Sequence, residues 1–329
     1  MNKYNDYDIK YPDLVIELIE YFKLDDHLKD KSIVGFCESH ILPNDERYQP
    51  PVLNRICQSL CENNLMNCIL NDQCFGLHSR YVSIISDNPV WTRFRDYLKL
   101  YYNSLAYGFD YIYRRYQEIV VPVVCKKENG DFSVGTAFRF GGGLVTAKHC
   151  IADPSNLSIR GFSSEELNSC RILVSENDWL DLVFLDLNRN DCTGVYSDTG
   201  KIMDEVLVMG YPKIPAFTDF LTAEKATISS KAESRLTPTK GTVAAKGLSI
   251  HSKTELLLIT AKIRGGNSGG PVINKEGAVV GVACQTPCYG EKLGDYDDLG
   301  YGIAVPMTCF GELKKEYRVH EGFFVEFED

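Results

Sequence analysis

From about residue 117 onward the chain is cut into short β-type runs separated by Gly, Asn and Asp, and this punctuation constrains the fold more than any other feature. The runs cover residues 120–125, 135–140, 144–147, 182–186, 205–209, 256–259, 278–284 and 302–305. Strands this short, with turn residues between them, build an antiparallel barrel or sandwich.

Upstream the periodicity changes. Leu14, Val15, Leu18, Ile19 and Phe22 fall on one helical face. Residues 28–36 form a second short helical stretch. Pro50 and Pro51 open a third, with Val52, Ile56 and Leu60 on one side. Two strand-like runs follow, 66–70 and 80–85, joined by a polar loop that carries Gly76. Helix, helix, helix, hairpin is the order of a winged helix, and residues 53–85 resemble the third helix and wing of that family. Asn88 and Pro89 then supply an N-cap and a first helical position. The stripe that follows is Trp91, Phe94, Leu98, Tyr101, Tyr102 and Leu105, with Gly108 at its end or interrupting it. Tyrosine is dense from Tyr97 to Tyr116. The stripe reads either as a connecting helix packed between two domains or as a surface that senses a ligand or stacks a nucleobase.

A length of 329 residues suits two ordinary domains. With 44% hydrophobic and 24% charged residues, the chain is neither disordered nor fibrous. Its net charge is −10, and residues 1–115 hold 13 basic against 16 acidic residues. Neither part has the basic excess that DNA or an anionic membrane demands. Residues 52–63, the candidate recognition helix, carry Arg55 alone against Glu62, which further argues against nucleic acid as a partner. Apolar stretches such as 256–261 fall far short of the ~20 residues that span a bilayer. Glu17 and Glu20 interrupt the apolar residues 14–22, so no export signal is read there. Twelve cysteines without an export route are then expected as mostly free thiols in a reducing, cytoplasmic setting.

Three segments of the β-rich part carry chemistry. They are Gly135-Thr-Ala-Phe138 with Leu144-Val-Thr-Ala-Lys-His149-Cys150, then Asp181-Leu-Val-Phe-Leu185, then Gly265-Gly-Asn-Ser268-Gly-Gly-Pro-Val272. Together they resemble the trypsin-like (chymotrypsin-fold) serine peptidases, over roughly residues 117–312. In that family a Thr-Ala-x-His segment carries the general base, an Asp-Leu strand the acid that orients it, and a Gly-x-Ser-Gly-Gly-Pro loop the nucleophile. The order His149, Asp181, Ser268 is the family's order, and the separations of 32 and 87 positions suit two barrels with a cleft between them. The residue types answer a chemical need. A serine hydroxyl requires a base within hydrogen-bond reach, and an imidazole titrates where it both takes and returns a proton. The resemblance implies an oxyanion hole from the backbone N–H groups of Gly266 and Ser268, protein or peptide substrates, and no cofactor or metal. Gly302-Ile-Ala-Val-Pro306 resembles the closing strand of the bacterial HtrA-like branch, with no PDZ-sized segment after it.

The pattern also departs from the family. Asn267 stands where secreted animal members carry an Asp, and Glu118-Ile-Val-Val lacks the basic residue cut during activation. Zymogen activation of the trypsin type is therefore not expected. Val134 occupies the position of the usual disulfide partner of Cys150, so Cys150 is expected as a buried thiol. Lys262 lies six residues before the nucleophile. Either its ammonium enters the pocket and favours an acidic P1 residue, or it points outward and leaves Ile263 and Val282 to line an apolar pocket for small aliphatic P1 residues. Cys57, Cys61, Cys68 and Cys74 are spaced more widely than zinc pairs usually are, and read as free thiols, as do Cys284 and Cys288. His27, His40, His78, His251 and His320 lie in no comparable motif.

The expected architecture is an α+β multidomain chain. Residues 1–87 form a mainly helical, winged-helix-like domain and 88–116 a connecting helix. Residues 117–315 form an all-β, double-barrel, trypsin-like domain, with 316–329 as a C-terminal tail. The expected function is a serine endopeptidase controlled by its N-terminal domain, which docks a protein partner or self-associates. Two other readings compete: a catalytically silent peptidase-fold binding module, and a DNA-binding regulator with the peptidase as sensor.

Overall fold

The computed structural model describes residues 7–24, 31–39, 49–73, 75–85, 95–127, 132–152, 156–189, 194–212, 226–229, 232–249, 253–285, 288–289, 297–298, 300–319 and 322–326. It contains two compact units, Met1–Ile112 and Tyr113–Asp329.

The first unit holds α1 (Tyr7–Lys10), α2 (Leu14–Tyr21), α3 (Ile33–Ser39), α4 (Pro50–Glu62), the hairpin β1 (Met66–Leu70) and β2 (Arg80–Ser83), and α5 (Arg95–Tyr107). Prolines fill the start of α4, where a missing backbone donor costs nothing. Its buried residues Leu53, Ile56, Cys57 and Leu60 recur at helical spacing. Each of the fully buried Leu and Ile side chains contributes about 1.5–3 kcal/mol of burial. The helix stops at Asn63, whose side-chain amide donates to the carbonyls of Ser59 (2.9 Å) and Leu105 (3.3 Å). Asn64 then takes a left-handed conformation (φ 58°) that turns the chain into β1. The α2 face read from the sequence is buried throughout, with Phe22 in edge contact with Tyr81.

Two expectations shift here. The second helix begins at Ile33, and residue 28 lies outside the described residues, as do Asn88, Pro89, Trp91 and Phe94. In place of one connecting helix over 88–116 there are two, α5 and α6 (Phe109–Tyr116), broken at Gly108 with φ 74°. Tyr102, Ala106 and Tyr107 of α5 belong to the core of the first unit, so that helix is a packing element of the unit rather than a linker.

The second unit holds β3 (Val120–Lys126), β4 (Phe132–Phe140), β5 (Gly143–Thr146), β6 (Asn156–Ile159), α7 (Ser164–Ser169), β7 (Arg171–Val174), β8 (Val183–Asp186) and β9 (Glu205–Gly210). After these come β10 (Ala226–Ser229), β11 (Ala232–Ser234), β12 (Thr237–Leu248), β13 (Glu255–Ile259), β14 (Pro271–Asn274) and β15 (Val279–Gln285). The unit closes with β16 (Cys288–Tyr289), β17 (Asp297–Asp298), β18 (Gly302–Pro306) and β19 (Lys315–Glu316). Six strands form a closed barrel in the order β12-β13-β18-β15-β14-β9. Val206, Val208, Val243, Leu257, Ile259 and Val280 meet in its interior.

The other sheet has seven strands, β19-β7-β8-β5-β4-β3-β6, and its strand pairing does not close on itself among the described residues. Residues 316–329 were expected as a tail, and this the structure corrects. β19 pairs with β7 at one edge of the sheet. A few residues later, Leu157 of β6 donates to the Phe323 carbonyl (3.0 Å) and accepts from the Val325 amide (2.8 Å) at the other edge. Both edges would otherwise present unpaired backbone groups. Phe324, 1% exposed, fills the core beneath. No helix among the described residues is long and apolar enough to cross a membrane.

Candidate active site

The register of the open sheet places His149 beside the Asp181 carboxylate. β5 pairs with β8 so that Thr146 faces Val183. The three residues beyond Thr146 and the two before Val183 therefore leave the same edge together. After β5 the chain enters a single 3₁₀ turn, Lys148–Cys150. There the His149 amide donates to Asp181 Oδ1 (2.9 Å), and His149 Nδ1 lies 2.7 Å from Asp181 Oδ2. One carboxylate thus holds both the backbone and the ring. With Nδ1–H as donor, Nε2 is left as the acceptor. Lys148 Nζ binds the Asp178 carbonyl (3.1 Å) and steadies the segment that brings Asp181 in. The bond to Asp181 pushes the His149 pKa up to about 10, with the Cys150 side chain contributing less.

Ser268 rides on two consecutive turns. The Asn267 amide donates to the Arg264 carbonyl, and the Gly270 amide to the Asn267 carbonyl, both at 2.9 Å. Each turn needs a positive φ: Gly266 is at 103° and Gly269 at 86°. A Cβ on Gly266 would lie 2.2 Å from the Tyr211 carbonyl oxygen, and one on Gly269 2.0 Å from that of Thr136. Glycine is therefore required at both positions by conformation and by space. Among the described residues the amides of Gly266 and Ser268 donate to no protein acceptor.

Thr136 of β4 anchors this loop. Its amide donates to the Ser268 carbonyl (2.8 Å), its hydroxyl donates to the Gly266 carbonyl (2.7 Å), and that hydroxyl accepts from the Tyr211 amide (3.0 Å). Thr146 donates in turn to the Thr136 carbonyl (2.6 Å). Sequence reasoning missed Thr136 as a site residue, although it stands inside the Gly-Thr-Ala-Phe motif. A buried Thr among apolar neighbours on a strand was the available signal.

The Ser268 hydroxyl donates to the Cys284 carbonyl (2.9 Å), and among the described residues no hydrogen bond joins it to His149. The two loops nevertheless touch. Cys150 Sγ, next to His149, approaches the Ser268 carbonyl at 3.4 Å in the space left by Gly135, where a Cβ would lie 2.5 Å from the sulfur. Asn267 is 2% exposed, and its Oδ1 is buried without a hydrogen-bond partner among the described residues.

Of the pocket residues, Lys262 is exposed, and its carbonyl accepts from Thr239 Oγ1 (3.1 Å). Ile263 is buried in the barrel core, packing over Gly302, and Val282 is buried as well. Cys57, Cys61 and Cys68 are free thiols, and among the described residues no group of metal-ligating side chains assembles. Burial pushes Cys57 well up and Cys61 to about 11, so both stay protonated at neutral pH. Cys74, His27, His40, His251 and His320 lie outside the described residues, as does the side chain of Cys288; His78 is exposed.

A barrel and a curved sheet that bring together a carboxylate-bound imidazole and a serine on a glycine-rich turn define a class of hydrolase-like β folds. Residues 135–282 match the trypsin-like peptidase domain family. The matched stretch lies within the second unit. The chain is 30% identical over 185 residues to the putative mitochondrial protease Do-like 3 of Arabidopsis thaliana, covering 53% of this chain and 28% of that protein. It is 26% identical over 231 residues to a probable periplasmic DegP-like serine endoprotease of Pseudomonas fulva, covering 66% and 43%. It thus spans less than half the length of the curated relatives it matches. A serine endoprotease structure from Yersinia pestis is 21% identical and covers 62% of this chain and 64% of its own, with a TM-score of 0.41.

Proposed function

We propose that this chain is a serine endopeptidase in which His149, Asp181 and Ser268 act as one unit. The observation that carries the reading is the double hold of Asp181 on His149, which fixes the tautomer and leaves Nε2 as the proton acceptor. In this reading the Ser268 hydroxyl leaves the Cys284 carbonyl by rotation about one side-chain bond. It gives its proton to His149 Nε2 as Oγ attacks the substrate carbonyl carbon. Catalytic hydrogen bonds are often unmade until substrate is bound. The carbonyl π electrons move to oxygen, and the Gly266 and Ser268 amides receive that oxyanion. Such a donor is worth about 3–4 kcal/mol in the transition state. The imidazolium then protonates the leaving amine as the C–N bond breaks, and an acyl-serine forms. Water, deprotonated by His149, releases the acid and restores Ser268.

Lys262 is exposed and Ile263 and Val282 are buried. That supports a preference for small aliphatic P1 residues over acidic ones. The first unit serves in this reading as a winged-helix-like docking or self-association module that controls the peptidase; its order of helices and hairpin supports that assignment. The free thiol of Cys150, with Val134 in the partner position, supports work in a reducing compartment such as the cytoplasm. Cleavage-site mapping on a proteome, with wild type against Ser268→Ala, tests the function. New N-termini after Ala, Val or Ser, absent with the variant, are expected. Identical termini from both proteins overturn the proposal.

A further inference from the structure

A second cleft of about 500 Å³ lies within the peptidase unit, and none of the triad residues lines it. Among the described residues, two guanidiniums, Arg139 and Arg160, share its lining with the carboxylate of Glu118. Arg139 is positioned by stacking on the Phe162 ring, at 5.1 Å. Arg160 is exposed, and its guanidinium makes no ion pair or hydrogen bond among the described residues. Tyr113, Tyr211 and Leu236 supply aromatic and aliphatic surface. A volume of this size holds a molecule of one to three amino-acid residues. A guanidinium such as that of Arg160 beside aromatic wall is the chemistry that recognises a carboxylate joined to an apolar group.

One wall of the cleft is also part of the mount of Ser268. The Tyr211 hydroxyl donates to the Val120 carbonyl (3.3 Å), while its amide donates to Thr136 Oγ1, the same oxygen that donates to the Gly266 carbonyl. The Tyr211 carbonyl lies where a Cβ on Gly266 would clash. A molecule that moves Tyr211 therefore acts on the Gly266 turn through two backbone contacts.

We propose that this cleft binds a small apolar carboxylate, either a free acid or the C-terminus of a peptide, and that occupancy changes the reactivity of Ser268. The second half rests on the proposed peptidase reading; the first does not. Isothermal titration of full-length Ser268→Ala with N-acetyl-L-phenylalanine, its amide, and the peptide Gly-Gly-Phe tests binding and distinguishes the sources. The acids are expected to bind at least tenfold more tightly than the amide. Arg160→Gln is expected to remove that preference, and Tyr113→Ala to weaken binding at least threefold. Saturating wild type with the acid is expected to change its rate of fluorophosphonate labelling at least threefold, and to leave the rate of Arg160→Gln unchanged. Equal affinity for acid and amide, or an Arg160→Gln variant that binds as wild type does, overturns the site. An unchanged labelling rate in saturated wild type overturns the coupling. Binding sensitive to Arg160 in a protein that never labels keeps the cleft and sinks the peptidase reading; labelling without binding does the reverse.

Discussion

At the scale of single residues, the proposed chemistry depends on how His149 is held. Its raised pKa has a direct consequence for that proposal, because an imidazole acts as a base only when neutral. The ascending limb of kcat/KM against pH should lie well above the free-imidazole value of 6.5, toward 10. Asp181→Asn should move that limb down and lower kcat/KM on the order of 10⁴-fold, since the tautomer is no longer fixed. A profile that stays in place in the variant would show that Asp181 does not set the base. Linkage follows with the same sign. A histidine whose folded pKa is raised stabilises the fold fully below pH 6.5, and that stabilisation is lost as pH rises through about 10. Asn267 yields a separate prediction. Its side chain is buried, with Oδ1 unpartnered among the described residues, so Asn267→Asp places a carboxylate where the charged form is unfavourable. The folded-state carboxyl pKa is then raised above about 3.9, and the variant loses stability as pH rises through that range. Thermal denaturation at pH 4 and pH 8 measures this; an equal melting temperature deficit at both would contradict it.

At the scale of elements, the Ser268 loop is set by backbone conformation and by Thr136. Gly266→Ala adds a Cβ at φ 103° and against the Tyr211 carbonyl. The strain is about 1–3 kcal/mol, and it falls on the turn that carries the proposed oxyanion donors. Labelling of Ser268 should drop at least tenfold while the far-ultraviolet circular dichroism is unchanged. The C-terminal strand β19 and the strap that follows it, residues 323–325 bonded to Leu157, form the other decisive element. Phe324→Ala should destabilise the protein by about 3–5 kcal/mol, read by urea denaturation, because a fully buried ring leaves a cavity. A change below 1 kcal/mol would mean that the strap is ornamental.

The contrast between those two elements shows what was legible in the sequence. The His149, Asp181 and Ser268 segments were readable because each follows from local demands: a strand ending at a turn, glycines at positive φ, a carboxylate two residues before a strand. Thr136 was not readable as an anchor, since its role depends on β4 passing the nucleophile loop from a distant part of the chain. The strap was missed for a similar reason. Phe324, the residue that fills the core, stands out of step with the alternating Phe323, Val325 and Phe327, so the local pattern does not single it out. Four of the six strands of the closed barrel were legible, while β12 and β14 were not; the open edge of the first sheet, and what covers it, was a long-range property of pairing.

At the scale of the whole molecule there are two units. The mainly helical one has its own apolar core with Tyr102 and Tyr107 inside it, and the β unit holds His149, Asp181 and Ser268. Ile119 and Val120 bear on how the proposed peptidase would be switched on. Both are buried, with the Ile119 carbonyl accepting from the Arg139 amide (3.0 Å), so they are pinned within the fold rather than poised as a new chain end. Proteolysis after Glu118 should therefore not raise kcat/KM. Cleavage there followed by a rise of tenfold or more would reverse that view of activation.

The central claim is that an imidazole on one sheet and a hydroxyl on a turn of the other act together. The most direct test treats full-length protein with a fluorophosphonate and maps the adduct by mass spectrometry. The account predicts a single adduct, on Ser268, lost in His149→Ala and retained in Cys150→Ala. An adduct on a different residue, or labelling of Ser268 that persists without His149, contradicts it.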